Sequence, residues 1–125
     1  MVDRPLPRVL IIDDHPGVAR TLARLLDTEA NVAISTSGPD ALNRIEGGER
    51  FDLVLCDIMM PMMTGLQLLE RVRAVAPQMA RVFVFITGGL TPELEKELHA
   101  TGKQCLEKPV KLAELTKLLA SDVLR

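Results

Sequence analysis

Two hydrophobic rhythms alternate along the 125-residue chain. Continuous apolar runs at Val9 to Ile12, Leu53 to Cys56 and Val82 to Ile86 are each short enough to be a strand buried on both faces. Val32 to Ser35 and Gln104 to Leu106 are weaker strand candidates. Between these runs, apolar residues recur at helical spacing. Val18, Leu22, Leu25 and Leu26 mark a first helix, Ala41, Leu42 and Ile45 a second, and Leu66, Leu69 and Val72 a third. Leu94 and Leu98 mark a fourth, and Leu112, Leu115, Leu118 and Leu119 form the stripe of a last helix predicted from Lys111 to Leu124. The punctuation agrees. Ser37-Gly38-Pro39 and Thr91-Pro92-Glu93 each offer a capping hydroxyl followed by a first-turn proline, while Gly47-Gly48 and Gly102 stop the helices that follow.

Strand and helix therefore alternate five times. Apolar strands separated by amphipathic helices demand a parallel sheet with right-handed crossovers and helices on both faces, a doubly wound α/β fold. Ligands of such sheets bind at the carboxyl ends of the strands, beside the point where strand order reverses. The residues to read are thus the ones that end each strand. The first run ends in Asp13-Asp14, the third in Asp57, the fourth in Thr87 and the fifth in Glu107-Lys108-Pro109.

Composition narrows the function. Hydrophobic residues are 47% and charged residues 26% of the chain, so it can build an ordinary core without disulfide or metal staples. Lys and Arg number 15 against 17 Asp and Glu, a net charge of −2 that argues against nucleic-acid contact. Trp and Tyr are absent, so stacking platforms for bases or flavins are poorly supplied. No apolar run approaches the ~20 residues of a membrane span, and the N-terminus lacks a signal-peptide core. Cys56 and Cys105 sit inside apolar segments and read as buried reduced thiols, on strands roughly 10 Å apart, which suits a cytoplasmic setting. Without repeats or linkers, a single domain over residues 1–125 is expected, with its core at about 7–123 and no room for an output domain.

Three carboxylates, a hydroxyl and an ammonium would converge on one rim. The carboxylates repel one another, and a hard divalent cation is the simplest neutraliser; Mg²⁺ fits best, with Mn²⁺ an acceptable substitute. Together with Lys108 and Thr87 these groups make a phosphoryl-transfer kit. Asp13 and Asp14 suit metal holding, whereas Asp57 stands alone after a fully apolar strand, central if the order is 2-1-3-4-5, and is the better nucleophile. Gly88 and Gly89 leave space and backbone donors beside Thr87. His15 and His99 read as solvated or packing residues. Met59, Met60, Met62 and Met63 around Pro61 fit a docking patch and an inward-packed loop equally well.

At these residues the chain resembles response-regulator receiver domains. The resemblance rests on Asp13-Asp14, on Asp57 followed by Ile58-Met59-Met60-Pro61 and Gly65, on Thr87-Gly88, and on Lys108-Pro109. The separations also match: 43 residues from Asp14 to Asp57, 30 more to Thr87 and 21 more to Lys108. It implies a flavodoxin-like (βα)5 sandwich with a five-stranded parallel sheet in the order 2-1-3-4-5. It implies that Asp57 accepts a phosphoryl group from a sensor histidine kinase or a histidine phosphotransfer protein. Asp14, Asp57 and the Met59 backbone carbonyl would ligate Mg²⁺, with Asp13 acting through water, and Thr87 and Lys108 would contact the phosphoryl oxygens. Such a domain is a self-phosphorylating acceptor with slow autodephosphorylation, not a conventional enzyme.

The chain departs from that pattern at Cys105, where receivers usually carry Tyr or Phe. A thiol cannot fill or vacate an aromatic-sized pocket, so a muted readout is expected on the face formed by the helix after Thr91, the fifth strand and the last helix. Cys105 also keeps alive a pseudo-receiver that binds partners without phosphorylation. An aspartate-nucleophile phosphatase would need an acid two residues after Asp57, where Met59 stands. A flavodoxin-like electron carrier would need a phosphate loop where Asp14-His15-Pro16-Gly17 would repel FMN.

Overall fold

The structure is a computed structural model that describes residues 5–120. Among the described residues, β1 (Arg8–Ile12), β2 (Asn31–Ser35), β3 (Leu53–Asp57), β4 (Phe83–Thr87) and β5 (Cys105–Glu107) form one parallel sheet ordered β2-β1-β3-β4-β5. The helices are α1 (Pro16–Leu25), α2 (Gly38–Glu46), α3 (Gly65–Val75), α4 (Pro77–Ala80), α5 (Pro92–Thr101) and α6 (Leu112–Leu119). This is the doubly wound fold, and the order, that the sequence predicts.

Strand alternation splits the core into two layers. Leu10, Ile12, Val54, Cys56, Phe83 and Phe85 pack with the apolar faces of α2, α3, α4 and α5. Val9, Ile11, Leu53, Leu55, Val84 and Ile86 pack with α1 and α6. The central strands β3 and β4 are buried at every position, which is why they read as unbroken apolar runs. The edge strands β2 and β5 are only partly covered, and their patterns are correspondingly faint.

The caps behave as their chemistry requires. Ser37 Oγ accepts from the Asp40 amide at 3.1 Å, and Thr91 Oγ1 from the Leu94 amide at 3.1 Å. Thr64 and Gln67 form a reciprocal capping box at the start of α3. Asp13 and Asp14 do not cap α1. That position belongs to His15, whose side chain makes no capping bond.

Three expectations need correction. The helical turn α4 was not anticipated, because four residues carry no periodicity; it forms after Pro77 and buries Met79 and Ala80. Val18 does not belong to the buried stripe of α1, which runs through Ala19, Leu22 and Leu26, one helical step away. The last helix is seen as Leu112–Leu119; Leu112 is exposed rather than part of its buried stripe, which holds Leu115 and Leu118, and residues 121–124 of its predicted range lie outside the described residues.

Gly65 ties the loop after β3 to the core. Its amide donates to the Ile58 carbonyl at 2.8 Å. A Cβ there would lie 2.5 Å from the Asp57 carbonyl oxygen and 3.1 Å from both Ile58 Cα and Phe85 Cε1. Backbone cannot yield as a side chain would. Gly65→Ala should therefore lower the urea unfolding free energy by about 2 kcal/mol or more. Gly88→Ala, where an added Cβ meets nothing within 4 Å, should change it by less than about 1 kcal/mol. Equal effects from the two variants would contradict the close-approach argument.

Candidate functional site

The sheet register assembles the site. Ile12 pairs with Cys56, so the residues that follow them, Asp13 and Asp57, emerge side by side from adjacent strands. Asp57 in turn pairs with Ile86, which places Thr87 at the same rim. Lys108 follows β5, where its amide donates to the Thr87 carbonyl at 2.8 Å. From there its side chain reaches across the rim. Lys108 Nζ lies 3.0 Å from Asp13 Oδ2 and 3.3 Å from Asp57 Oδ2.

Asp13, Asp57 and Thr87 are all buried, and Asp14 and Lys108 are half-buried. Asp13 is the best satisfied acid, since its Oδ1 also accepts from the His15 amide at 2.9 Å. Asp14 is the least: its Oδ1 is buried and accepts no hydrogen bond. Three carboxylates thus share one nearby ammonium. Burial pushes the Asp57 carboxyl above its ordinary range; Lys108 opposes that and Asp13 adds to it, while the Lys108 hydrogen bond and the Met59 amide hold it back. Burial alone would lower the Lys108 ammonium, but the Asp13 hydrogen bond and the Asp57 charge carry it above its ordinary value.

Oxygen ligands of Asp13, Asp14 and Asp57 and a nitrogen of His15 all lie within 4.8 Å of one another. A hard divalent cation suits this donor set, and the Asp14 oxygen accepts no hydrogen bond that would compete with it. The rim is therefore a cluster able to hold a divalent metal. His15 is solvated, as predicted, yet its Nδ1 stands 3.4 Å from Asp13 Oδ1 and 3.3 Å from Asp14 Oδ1. Sequence reasoning left it out of the cluster; its place directly after two acids was the available signal. His99 is exposed on α5.

The remaining candidates divide. Thr87 Oγ1 stays within its own loop, 3.4 Å from the backbone of Gly89, and nothing would crowd a Cβ on Gly88 or Gly89. The methionines split by position: Met60 is buried and Met63 packs against the core, while Met59 and Met62 are exposed. Cys56 and Cys105 are free thiols, and Phe85 sits between them in the sheet register. Burial, then Asp57 and Asp13, raises the Cys56 thiol well above its ordinary value; burial, then Glu107 and Asp57, pushes Cys105 up to about 11. Both are therefore protonated and poor nucleophiles at neutral pH. None of the described helices is long and apolar enough to cross a membrane.

A family model of the response regulator receiver domain matches residues 9–120. The chain is 34% identical over 113 residues to the sensor histidine kinase RcsC of Salmonella typhi, covering 90% of this chain and 12% of that protein. It is 30% identical over 116 residues to the sensory/regulatory protein RpfC of Xanthomonas campestris, covering 90% of this chain and 16% of that protein. The chain thus spans less than a fifth of the length of these curated relatives. Among solved structures, a CheY-like response regulator receiver domain protein from Methanospirillum hungatei superposes with a TM-score of 0.83 at 29% identity, covering 94% of each chain.

The charge imbalance has a measurable consequence. A carboxyl whose folded pKa is raised stabilises the fold fully only below its unfolded pKa, and that stability is lost as pH rises through the folded value. In metal-free buffer, Asp57→Asn should raise the unfolding free energy at neutral pH by on the order of 1 kcal/mol. The gain should shrink as pH falls through the folded Asp57 range. A less stable variant at neutral pH would show that the Lys108 pairing outweighs the repulsion among the acids.

Proposed function

Because the chain belongs to the response-regulator receiver family, we propose that Asp57 is the residue phosphorylated as this part of a two-component signalling protein works. The observation that carries the reading is the reach of Lys108 Nζ to both Asp13 and Asp57, which joins the ends of β1, β3 and β5 into one reaction rim. The donor we infer is a phosphohistidine on a sensor kinase or a histidine phosphotransfer protein. An Asp57 carboxylate oxygen attacks phosphorus in line, the P–N bond to the donor imidazole breaks, and an acyl phosphate forms. The electron pair of the broken bond stays on the imidazole.

Asp14, Asp57 and the Met59 carbonyl would hold Mg²⁺, with Asp13 acting through water and Mn²⁺ able to substitute. When bound, the cation neutralises the carboxylates and the phosphoryl oxygens. Lys108 lies next to the attacking carboxylate and pairs with an equatorial phosphoryl oxygen as charge accumulates there. Thr87 supplies a hydroxyl to another, and its hydrogen bonds to Gly89 are long enough to yield to a charged acceptor. The open space at Gly88 and Gly89 accommodates the added group.

Phosphorylation adds up to about two negative charges at the rim and draws the Thr87 loop inward. Here the readout differs from an aromatic swing. The bulky ring beside Cys105 is Phe85, which is fully buried on the neighbouring central strand and cannot exchange with solvent. We take the unit to be a single receiver domain in a cytoplasmic setting, without nucleic-acid or membrane contact of its own.

Incubation with acetyl phosphate and Mg²⁺, followed by intact mass, should show the gain of one phosphoryl group. The gain should vanish in Asp57→Asn and fall by about tenfold or more in Lys108→Ala. Uptake that survives Asp57→Asn would overturn the assignment.

A further inference from the structure

We propose that His15 is a nitrogen ligand to the divalent cation of this site, and that it shifts the site's preference from Mg²⁺ toward Mn²⁺ and other metals that accept imidazole. The inference rests on the cation site proposed above and adds a residue to it. His15 occupies the N-cap of α1, where a side chain ordinarily bonds the free amides of the first turn, but it makes no such bond. Its backbone is held instead. The amide donates to Asp13 Oδ1 at 2.9 Å, and Pro16 follows directly, which confines His15 to extended conformations. The observed φ of −102° and ψ of 100° satisfy that confinement.

So held, the imidazole turns its Nδ1 to the acids, 3.3 Å from Asp14 Oδ1 and 3.4 Å from Asp13 Oδ1. The Asp14 oxygen is the buried one that accepts no hydrogen bond. Neighbouring ligands of an octahedral ion with bonds of about 2.1 Å lie about 3.0 Å apart. The separation of Nδ1 from the Asp14 oxygen is thus within a few tenths of an ångström of an octahedral edge, before any adjustment to a cation. The rest of the His15 side chain is largely exposed, so its approach needs no opening of the fold.

Chemistry then sets the preference. Mg²⁺ favours oxygen donors and keeps its waters, and an imidazole contributes little to holding it. Mn²⁺ accepts an imidazole nitrogen better than Mg²⁺ does, although it too binds oxygen well, and affinity for nitrogen rises from Mn²⁺ along the first-row series to Cu²⁺. A rim with three carboxylates alone would distinguish these ions weakly; a rim with His15 would distinguish them more.

The test is pulsed EPR of the Mn²⁺-loaded protein, joined to Mg²⁺ and Mn²⁺ affinities of the wild type, His15→Ala and Asp14→Asn. We expect a nitrogen coupling to bound Mn²⁺ that disappears in His15→Ala. We also expect His15→Ala to weaken Mn²⁺ by about tenfold or more and Mg²⁺ by less than about twofold. Mn²⁺ that binds and is lost in Asp14→Asn, but shows no nitrogen coupling, would overturn the His15 ligand and leave the carboxylate site standing. Mn²⁺ binding that is absent, or indifferent to Asp14→Asn, would overturn the cation site and the His15 ligand with it.

Discussion

The Lys108 ammonium stands between carboxylates from two adjacent strands, 3.0 Å from Asp13 and 3.3 Å from Asp57. With Asp14 beside them, three acids face one base, in a place too buried for water to screen the repulsion fully. The chain tolerates this because its sheet holds the acids apart from any escape: Asp57 closes a strand buried on both faces, and Asp13 follows another. Residual negative charge at a rigid, partly open rim is a standing attraction for cations. It is also an unfavourable state that a metal ion relieves. Burial raises the Asp57 carboxyl, and the imbalance accounts for the raised Lys108 ammonium and the fit to a divalent metal.

The sheet delivers this arrangement without specialised loops. Right-handed parallel crossovers put every carboxyl strand end on one side, so residues distant in the chain meet at one rim. Lys108 and Asp13 are 95 positions apart and still share a hydrogen bond. Gly65 matters to the site although it touches no reacting group. It lets α3 start against the Asp57 carbonyl, fixing the loop that carries Met59.

Much of this was legible in the sequence because burial writes itself plainly there. The runs Leu53 to Cys56 and Val82 to Ile86 mark β3 and β4 because both faces of those strands are covered. Ser37 and Thr91 mark helix starts because a hydroxyl there satisfies an otherwise free amide. Reading the residue after each run found Asp13, Asp57, Thr87 and Lys108. What stayed hidden depends on local geometry that no period encodes. The four-residue turn α4 is too short for one, and Val18 differs from Ala19 only by a single helical step. The division of the methionines between core and solvent follows from a chain reversal in which Met62 takes a φ of 70°. The place of His15 after two acids is a signal too weak to decide between a solvated side chain and a ligand; the structure shows where its Nδ1 points.

Charge balance governs the rim, and Mg²⁺ calorimetry on the wild type and Lys108→Met reads that balance directly. With the competing ammonium removed, three carboxylates are left without their neighbour, and Mg²⁺ should bind about threefold more tightly or better at equal pH and ionic strength. Unchanged or weaker Mg²⁺ binding in Lys108→Met would mean that the ammonium and the cation answer to different groups, and that the rim is not the single electrostatic unit described.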